Sequence, residues 1–506
     1  MNAKKVMYVV LMIFFCILFI PINASTAELQ QVFGDDSTSA DVSSFANFAK
    51  GPYMIYENIN TEMVVLWQAD GEATVSQIEW GSTPSYGNGP YNVPLYGDMQ
   101  YRYTIQGLMP GSMYYYRVNL DGIYQTGSFR AAPSDTATSV SIYAYGDSQA
   151  QPEQNDIVLG SLLADMNLLP ERRHSIILQS GDKNSNGDDE LDWTNQCFNR
   201  SYPNILTTQS MLPIMGSRGN HEGTAILQRK YWPYLYQDTS ACYHSFDYGP
   251  LHVLAVDDMS ELAPGSTQYN WIMNDIMTST KPWKLVIYHQ PAWGAGWHDN
   301  NIASQILAAD VYEPYGVVLT LAGHNHHYAR CYKQPIQHVT MGGGGAPLYG
   351  FNPAFPYFVT ATMNYHFIRI DIDGSQFCVT ATGTTGEVYD NFCVYNTFPG
   401  KIKNSLQVSK LGNNPVLTWN APGGLCSTAG YQIYRGTLPF ESYDHNALSC
   451  FINSTTYTDS SAPDSYYYLV VPDNNTKEGS YGTNSYGDER PQALIPCKLQ
   501  DTSPCN

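Results

Sequence analysis

The chain has 506 residues, of which 43% are hydrophobic and 14% are charged. This length exceeds that of one domain and predicts about three. The net charge of −20 becomes −22 without the first 27 residues, which hold Lys4 and Lys5 and no acid. A surface this acidic repels nucleic acids and anionic membranes, so we expect no nucleic-acid binding as such. An anionic substrate would need local cations, such as bound metal ions.

The N-terminus has the pattern of a secretory signal. Lys4 and Lys5 precede a nearly continuous apolar run over 6–20, and 25–27 is a small-x-small cleavage site. We therefore interpret 1–27 as a signal peptide, with an uncleaved N-terminal anchor as the alternative. The expected location is secreted, periplasmic or at the cell surface, with no membrane span after signal removal.

Nine cysteines follow the signal, and a secreted chain permits disulfides. An odd number leaves at least one thiol unpaired within the chain. Close spacing along the sequence predicts three disulfide pairs, Cys378–Cys393, Cys426–Cys450 and Cys497–Cys505. Cys197–Cys242 is a further candidate pair.

The composition changes along the chain. Residues 28–48 are a polar linker, and 49–133 contain short aromatic and β-branched strands that predict a small β-sandwich. In 138–396, apolar strands lead directly into polar, glycine-containing loops and alternate with helix-compatible stretches at 156–169 and 267–277. This alternation predicts α/β layers with a site at the carboxyl ends of the strands. The strand and turn pattern of 402–476 predicts a second small sandwich, and we interpret 477–506 as a tail.

Polar side chains of the metal-binding types follow five of the apolar strands. Carboxylate, imidazole and amide groups without a thiolate suit divalent ions such as Mn²⁺, Fe²⁺ and Zn²⁺. Two such ions, about 3.5–4 Å apart, would need a bridging ligand, for which a carboxylate is suited. The candidates are Asp147 and Gln149; Asp182; Asn220 and His221; His289; and His324 and His326.

The segment after Asp182 offers an alternative. Asp182, Asn184, Asn186 and Gly187 match the first half of an EF-hand calcium loop. Position twelve of such a loop should be a bidentate Glu, and here it is Trp193. A buried strand, not a helix, is predicted before it.

The loops carry the motifs GDSQ, GDKN, GNHE, YHQPAW and GHNHHYAR. With these motifs the chain resembles the calcineurin-like metallophosphoesterases and, within them, purple-acid-phosphatase-like proteins. LMPGSMYYYRV and FRAAP in 51–133 resemble the fibronectin type III-like domain that precedes the catalytic domain in plant-type members. The resemblance implies an α/β four-layer sandwich flanked by N- and C-terminal all-β, fibronectin type III-like sandwiches.

The resemblance also implies a ligand set. Asp147 and His326 would hold one metal, Asn220, His289 and His324 the other, and Asp182 would bridge them. Two positions depart from the purple enzymes. Ser185 stands where they have a tyrosine, so we expect two divalent ions (Mn, Fe or Zn) and no Fe(III)-tyrosinate. Gln149 stands where they have glycine, and it would either offer an amide oxygen to a metal or only hydrogen-bond nearby.

The function implied is that of a secreted phosphoesterase that hydrolyses phosphomonoesters by attack of a metal-bridged hydroxide. His221, beside Asn220, and His298, in the loop after His289, are the candidates for protonating the leaving group. The alternatives are a phosphodiesterase or nucleotide hydrolase and, in another class, a non-catalytic cell-surface binding protein on a phosphatase scaffold.

Other residues carry further expectations. Three tryptophans near the site would stack a base or line a core: Trp193, Trp293 and Trp297. His327 and Arg330 would be structural neighbours. The C-terminal module would bind a partner, a surface or a glycan, or only space the enzyme.

Overall fold

The computed structural model describes residues 46–168, 176–333, 335–395, 398–402, 405–422, 426–461, 465–474 and 477–502. The predicted signal peptide and nearly all of the predicted linker lie outside these ranges. Within them, no helix is long and apolar enough to cross a membrane.

The first part of the described chain is all β. Two four-stranded antiparallel sheets, ordered β1-β2-β6-β5 and β4-β3-β7-β8, enclose a core that includes Trp67 and Tyr116. Buried and half-buried residues alternate along β7, as expected where one face of a strand packs on a core. The strands are β1 Phe48–Ile55, β2 Glu62–Ala69, β3 Ser76–Gly81, β4 Asn88–Asn92, β5 Leu95–Gly97, β6 Gln100–Gln106, β7 Met113–Leu120 and β8 Ile123–Arg130.

The middle of the chain folds into two larger mixed sheets. One has six strands, ordered β11-β10-β9-β19-β20-β21, and the other has seven, ordered β12-β13-β14-β15-β17-β16-β18. The strands are β9 Ser139–Tyr145, β10 Ile177–Gln179, β11 Ile214–Gly216, β12 His244–Tyr248, β13 Leu251–Ala255, β14 Trp283–Ile287, β15 Val317–Ala322, β16 Tyr328–Lys333, β17 Ile336–Met341, β18 Phe358–Thr362, β19 His366–Asp373, β20 Gln376–Gly383 and β21 Val388–Tyr395.

Helices cover the outer faces of these sheets. Side chains of both sheets share one core, so the sheets pack face to face. Helix α1 packs on β19, and α5 contributes Ile272 and Ile276 to a core on the seven-stranded sheet. The arrangement is the predicted four-layer α/β sandwich. The helices are α1 Pro152–Leu168, α2 Glu190–Asp192, α3 Pro203–Met211, α4 Ile226–Tyr231, α5 Thr267–Thr278 and α6 Ile302–Leu307, with single π-turns at Trp193–Cys197 and Ala308–Tyr312.

The strands that lead to the candidate residues are parallel within each sheet. β9 pairs with β10 and β10 with β11, and β13, β14 and β15 follow one another in the second sheet. Strands such as β13 and β14 are buried along their whole length, which explains their uninterrupted apolar sequences.

The C-terminal part forms two three-stranded sheets, ordered β22-β23-β26 and β25-β24-β27. Leu417, Trp419 and Ile433 lie in their shared core. The strands are β22 Gln407–Leu411, β23 Asn414–Thr418, β24 Gly430–Thr437, β25 Asn446–Ile452, β26 Thr456–Thr458 and β27 Tyr466–Asp473. The described part of the expected tail, 477–502, packs on this unit, where the Tyr434 hydroxyl donates to Glu478 at 2.6 Å.

The cysteine predictions are only partly right. Cys378 and Cys393 are paired as predicted, since they lie opposite each other on β20 and β21. Cys450 pairs with Cys497, so the predicted pairs Cys426–Cys450 and Cys497–Cys505 are wrong, because 477–502 folds back onto the sandwich. Cys426 is disulfide-bonded as well. Cys197 and Cys242, the further candidate pair, are free thiols, and so is Cys331.

Candidate metal centre

The five loops meet at one edge of the four-layer sandwich. Asp147, Asp182 and Asn220 come shortly after β9, β10 and β11, and His289 and His324 come shortly after β14 and β15. Because the strands of each set are parallel, their carboxyl ends lie side by side. Each sheet therefore contributes part of one cluster of ligand-type side chains.

Three of these residues have left-handed backbone conformations, with φ of 56° at Asp147, 52° at Asp182 and 68° at His324. Non-glycine residues rarely adopt this region, and such strain is concentrated at functional sites. Neighbouring glycines leave room for the carboxylates. A Cβ on Gly219 would lie 2.2 Å from Asp182 Oδ1, and one on Gly323 would lie 2.1 Å from Asp147 Oδ2.

The centre of the cluster is buried and consists of Asp147, Asp182 and His289. Ligand atoms of these three side chains all lie within 4.8 Å of one another. His289 Nδ1 lies 2.8 Å from the carbonyl oxygen of Ser180, which can only accept, so Nδ1 carries the hydrogen in the neutral ring. The lone pair on Nε2 then faces Asp182 Oδ2 at 3.2 Å and Asn220 Oδ1 at 2.9 Å.

His324 and His326 complete the cluster. His326 Nδ1 lies 2.9 Å from the carbonyl oxygen of Pro347, so its Nε2 also carries the lone pair, and this atom lies 3.6 Å from Asp147 Oδ1. The ring of His324 lies 5.0 Å from that of His289, between centroids. The backbone N–H of His324 donates to Asp147 Oδ1 at 2.8 Å.

Gln149 belongs to the same cluster. Its Nε2 lies 3.3 Å from Asp182 Oδ2 and 3.3 Å from His326 Nε2. Its Oε1 is buried and has no hydrogen-bond partner among the described residues, and the same is true of Asp147 Oδ2. The orientation of such an amide follows from its hydrogen-bond network, and a half-turn of the amide would direct the oxygen toward the cluster.

The donor set fits divalent metal ions. Ligand bonds of about 2.1 Å place neighbouring ligand atoms of one ion roughly 3 Å apart. The spacings around His289 Nε2, 2.9 and 3.2 Å, match this value. Lone pairs of nitrogen and oxygen converge there, and an arrangement of acceptors alone is unfavourable without a cation between them.

Burial and charge shift the pKa values of these groups in opposite directions. Burial raises the pKa of Asp147. Burial also disfavours the Asp182 carboxylate, but its interactions with His289 outweigh this effect and lower its pKa. Burial disfavours the His289 imidazolium, yet Asp182 and Asp147 raise its pKa. The two buried carboxylates thus attract positive charge, which a proton on His289 or a metal ion supplies.

The structure also reveals a role for Glu222 that the sequence reasoning missed. Its buried carboxylate accepts three backbone N–H groups, from Asp182 at 2.9 Å, Lys183 at 2.7 Å and Gly219 at 2.6 Å. It therefore ties the loop of Asp182 to the loop of Asn220. The GNHE motif contained this residue, but the pattern gave no sign that it binds backbone groups of another loop.

Two further groups support the cluster. The buried Asp258 carboxylate accepts the backbone N–H of His289 at 3.1 Å, and burial raises the pKa of Asp258 to about 6. Gln196 Oε1 accepts from the backbone N–H groups of Ala150 at 2.7 Å and Ser185 at 3.0 Å. Asp258 lies 31 residues from His289 and Gln196 lies 46 residues from Ala150, so no local pattern indicated these contacts.

The two proton-transfer candidates lie at the edge of the cluster. His221 is 41% exposed; its Nδ1 lies 2.7 Å from the Ser185 carbonyl oxygen and its Nε2 lies 3.9 Å from Asp182 Oδ2. His298 is exposed, and its ring lies 4.1 Å from that of His324, between centroids.

His327 and Arg330, which we expected to be structural, have contacts with residues outside the proposed ligand set. His327 is buried, and its ring lies 5.9 Å from that of Phe351. Arg330 forms a two-pronged ion pair with Asp390, at 2.6 and 3.2 Å.

Comparisons with known proteins agree with this geometry. Residues 140–328 match the calcineurin-like phosphoesterase family. A probable purple acid phosphatase 20 of Arabidopsis thaliana is 27% identical over 24% of this chain and 33% of its own length. Human acid phosphatase type 7 is 23% identical over 60% of this chain and 75% of its own length. The chain thus spans about a third of the plant relative and three quarters of the human one.

Two solved structures share the fold. The purple acid phosphatase PPD1 from yellow lupin (Lupinus luteus) seeds has a TM-score of 0.58 and 18% identity, covering 68% of this chain and 74% of that one. PhoD has a TM-score of 0.53 and 12% identity, covering 76% of this chain and 92% of that one. Residues 140–328 therefore match the calcineurin-like phosphoesterase family, and the chain is similar to acid phosphatases in sequence and to a purple acid phosphatase in fold.

Proposed function

We propose that the protein is a secreted phosphatase that uses two divalent metal ions to hydrolyse phosphate monoesters. One observation carries the proposal: ligand-type side chains from five separate loops come together in one cluster, whose buried centre is formed by Asp147, Asp182 and His289. A purely structural ion pair would set donor atoms against acceptor atoms, whereas here acceptor atoms face one another. The similarity to acid phosphatases supports a monoester as the substrate.

The proposed ligands divide into two sets that share Asp182. Asp147, His326 and the amide oxygen of Gln149 would hold one ion, and Asn220, His289 and His324 would hold the other. Asp182 lies close to members of both sets, since its Oδ2 is 3.2 Å from His289 Nε2 and 3.3 Å from Gln149 Nε2. The imidazole nitrogens favour Mn²⁺, Fe²⁺ or Zn²⁺ over Ca²⁺, which prefers oxygen ligands alone.

When bound, two divalent ions lower the pKa of water and offset negative charge on the phosphoryl oxygens. The protein's own groups position the ligands of the ions and move protons. Glu222 and Asp258 hold the ligand loops rigid through backbone N–H groups. The leaving alkoxide requires a proton, which Nε2 of His221 or the ring of His298 would donate. Both rings are partly open to solvent, so either can be reprotonated after each turnover.

The location and the outer domains belong to the same proposal. Disulfides at Cys378–Cys393 and Cys450–Cys497 suit an oxidising, extracellular compartment. The signal peptide proposed at 1–27 would direct the chain there. We assign 49–133 and 402–476 to two fibronectin type III-like modules, the second of which would contact a surface or a glycan or space the enzyme from it.

The test is release of nitrophenol from p-nitrophenyl phosphate by residues 28–506, stripped of metal and reloaded with Mn²⁺. We expect turnover only with metal. Asp182→Asn should lower it by more than ~100-fold, because an amide is neutral and has one oxygen, so it would not bridge two ions as a carboxylate does. Asp459→Asn changes an equally buried carboxylate in the C-terminal unit and serves as the matched control.

No turnover with any divalent ion would remove the monoesterase assignment. Phosphodiesters and nucleotides would then be assayed under the same conditions. Equal activity of wild type and Asp182→Asn would contradict the two-metal site itself.

A further inference from the structure

The three tryptophans near the site have different environments. Trp193 is fully buried in the main core, and its Nε1 donates to the Gly187 carbonyl at 2.9 Å. Trp293 is half-buried against Tyr357, with 5.7 Å between ring centroids. Trp297 is 81% exposed, and among the described residues it makes no ring–ring or cation–π contact that would occupy its face. Only Trp297 therefore offers a free indole surface.

Trp297 adjoins the rim of the metal centre along the chain. It directly precedes His298, whose ring lies 4.1 Å from the ring of the ligand candidate His324. Tyr349 continues the same wall, since its ring lies 5.8 Å from that of His298 and 4.6 Å from that of His326. An ester whose phosphoryl group occupied the cluster would have its leaving group beside this aromatic wall.

The backbone on both sides of Trp297 is fixed. The backbone N–H of His298 donates to Asn325 Oδ1 at 3.0 Å, and the carbonyl of Ala295 accepts from Asn352 at 2.7 Å. A Cβ on Gly296 would lie 1.9 Å from the side chain of the buried Asn325, so the loop lies directly on that residue. The backbone that carries the indole is therefore constrained, which reduces the entropy cost of ordering this segment when a ring stacks on it.

We propose that Trp297, with the wall formed by His298 and Tyr349, is a subsite for a planar aromatic leaving group. The preferred substrates would be phosphate monoesters of nucleosides or aryl alcohols. Stacking on a tryptophan face is tolerant of the ring's identity, because every base or aryl ring has a π-face. This inference rests on the proposed monoesterase function and names the substrate class of that site.

The test compares AMP, phenyl phosphate and glycerol 3-phosphate with wild type, Trp297→Ala and Trp297→Phe. The leaving group is a primary alkoxide in both AMP and glycerol 3-phosphate, so the two esters have similar intrinsic reactivity. Of the two, AMP alone carries an aromatic ring. We expect Trp297→Ala to lower kcat/KM for AMP and phenyl phosphate by roughly 5- to 30-fold, the loss that corresponds to about 1–2 kcal/mol of stacking. Glycerol 3-phosphate should change by less than about 2-fold, and Trp297→Phe should retain most of the preference.

The two aromatic substrates distinguish the sources of the ring. A loss confined to AMP identifies a nucleobase subsite, and a loss confined to phenyl phosphate identifies an aryl subsite; both support the inference. An equal change for all three substrates, or no change, overturns it. Tyr486→Ala, which removes an 89% exposed aromatic ring from the C-terminal unit, is the matched control.

A binding measurement separates this inference from the phosphatase assignment. Trp297 is the exposed tryptophan of the described chain, so acrylamide should quench its emission preferentially. AMP should protect this emission in the Mn²⁺-loaded protein, and the effect should vanish in Trp297→Ala. If wild type hydrolysed none of the three esters but AMP still protected Trp297, the proposed function would fail and the subsite would stand. Absence of protection by both AMP and phenyl phosphate would overturn the subsite.

Discussion

Removal of the Glu222 carboxylate should release two of the ligand loops at once. The side chain is buried and accepts the backbone N–H groups of Asp182, Lys183 and Gly219 at 2.6–2.9 Å. Glu222→Leu would leave all three donors without this partner. A buried donor without an acceptor costs about 1–3 kcal/mol, so the loss in unfolding free energy should be at least about 3 kcal/mol.

Glu222→Gln provides an internal comparison. The amide retains one oxygen, which can still accept from Asp182 and Gly219, but its NH₂ group would face the N–H of Lys183. Its loss should therefore be about 1–3 kcal/mol, smaller than that of Glu222→Leu. Because the Asp182 loop would move, both variants should bind metal more weakly, by roughly 10- to 100-fold for Glu222→Leu.

Chemical unfolding followed by tryptophan fluorescence measures the stability, and elemental analysis after gel filtration measures the bound metal. Glu79→Leu is the control, because Glu79 pairs with Arg117 near the surface of the N-terminal sandwich and such pairs contribute little. The reasoning is wrong if Glu222→Leu stays within about 1 kcal/mol of wild type, or if Glu222→Leu and Glu222→Gln lose equal stability.

Three other outcomes are expected. Chelation of metal should lower the melting temperature, and readdition of Mn²⁺ at 100 times its Kd should restore about 2.7 kcal/mol, measured by calorimetry. Burial disfavours the His252 imidazolium, but hydrogen bonds to Asp247 and Asp275 outweigh this effect and raise its pKa. The contribution of charged His252 to the free energy of unfolding should thus be fully present below a pH of about 6.5 and be lost as the pH rises through the raised pKa. Thermal scans of His252→Gln should lack this pH dependence. Cys450 and Cys497 are 47 residues apart, so Cys450→Ser should cost the C-terminal unit up to about 4 kcal/mol in urea unfolding.

The sequence predicted the layers and the candidate ligands because both follow from local patterns. An apolar run that ends in a polar, glycine-containing loop identifies a buried strand and the residue after it, as at Asp147 and His289. Parallel pairing then brings those ends together without any long-range information beyond the alternation of strands and helices. The structure has this arrangement at β9, β10 and β11.

Contacts between distant segments were not predictable in the same way. Cys450 is close in sequence to Cys426, yet it pairs with Cys497, because 477–502 folds back onto the sandwich. Gln196 binds the N–H of Ala150, 46 residues earlier in the chain, and no period or spacing links them. Such contacts depend on how finished elements pack, which single-sequence patterns do not specify.

The calcium-loop pattern at 180–193 shows how the structure decides between two readings of one motif. Trp193, at the twelfth position, lies in the main core and donates its Nε1 hydrogen to Gly187, so it offers no ligand. Asp182, at the first position, has φ of 52° and its carboxylate lies 3.2 Å from the imidazole nitrogen of His289. A calcium loop supplies its oxygens from one continuous segment. Here the partner of Asp182 comes from the other sheet, so a metal at Asp182 would have nitrogen as well as oxygen ligands. The nitrogen ligand is available only because loops of the two sheets meet at this site.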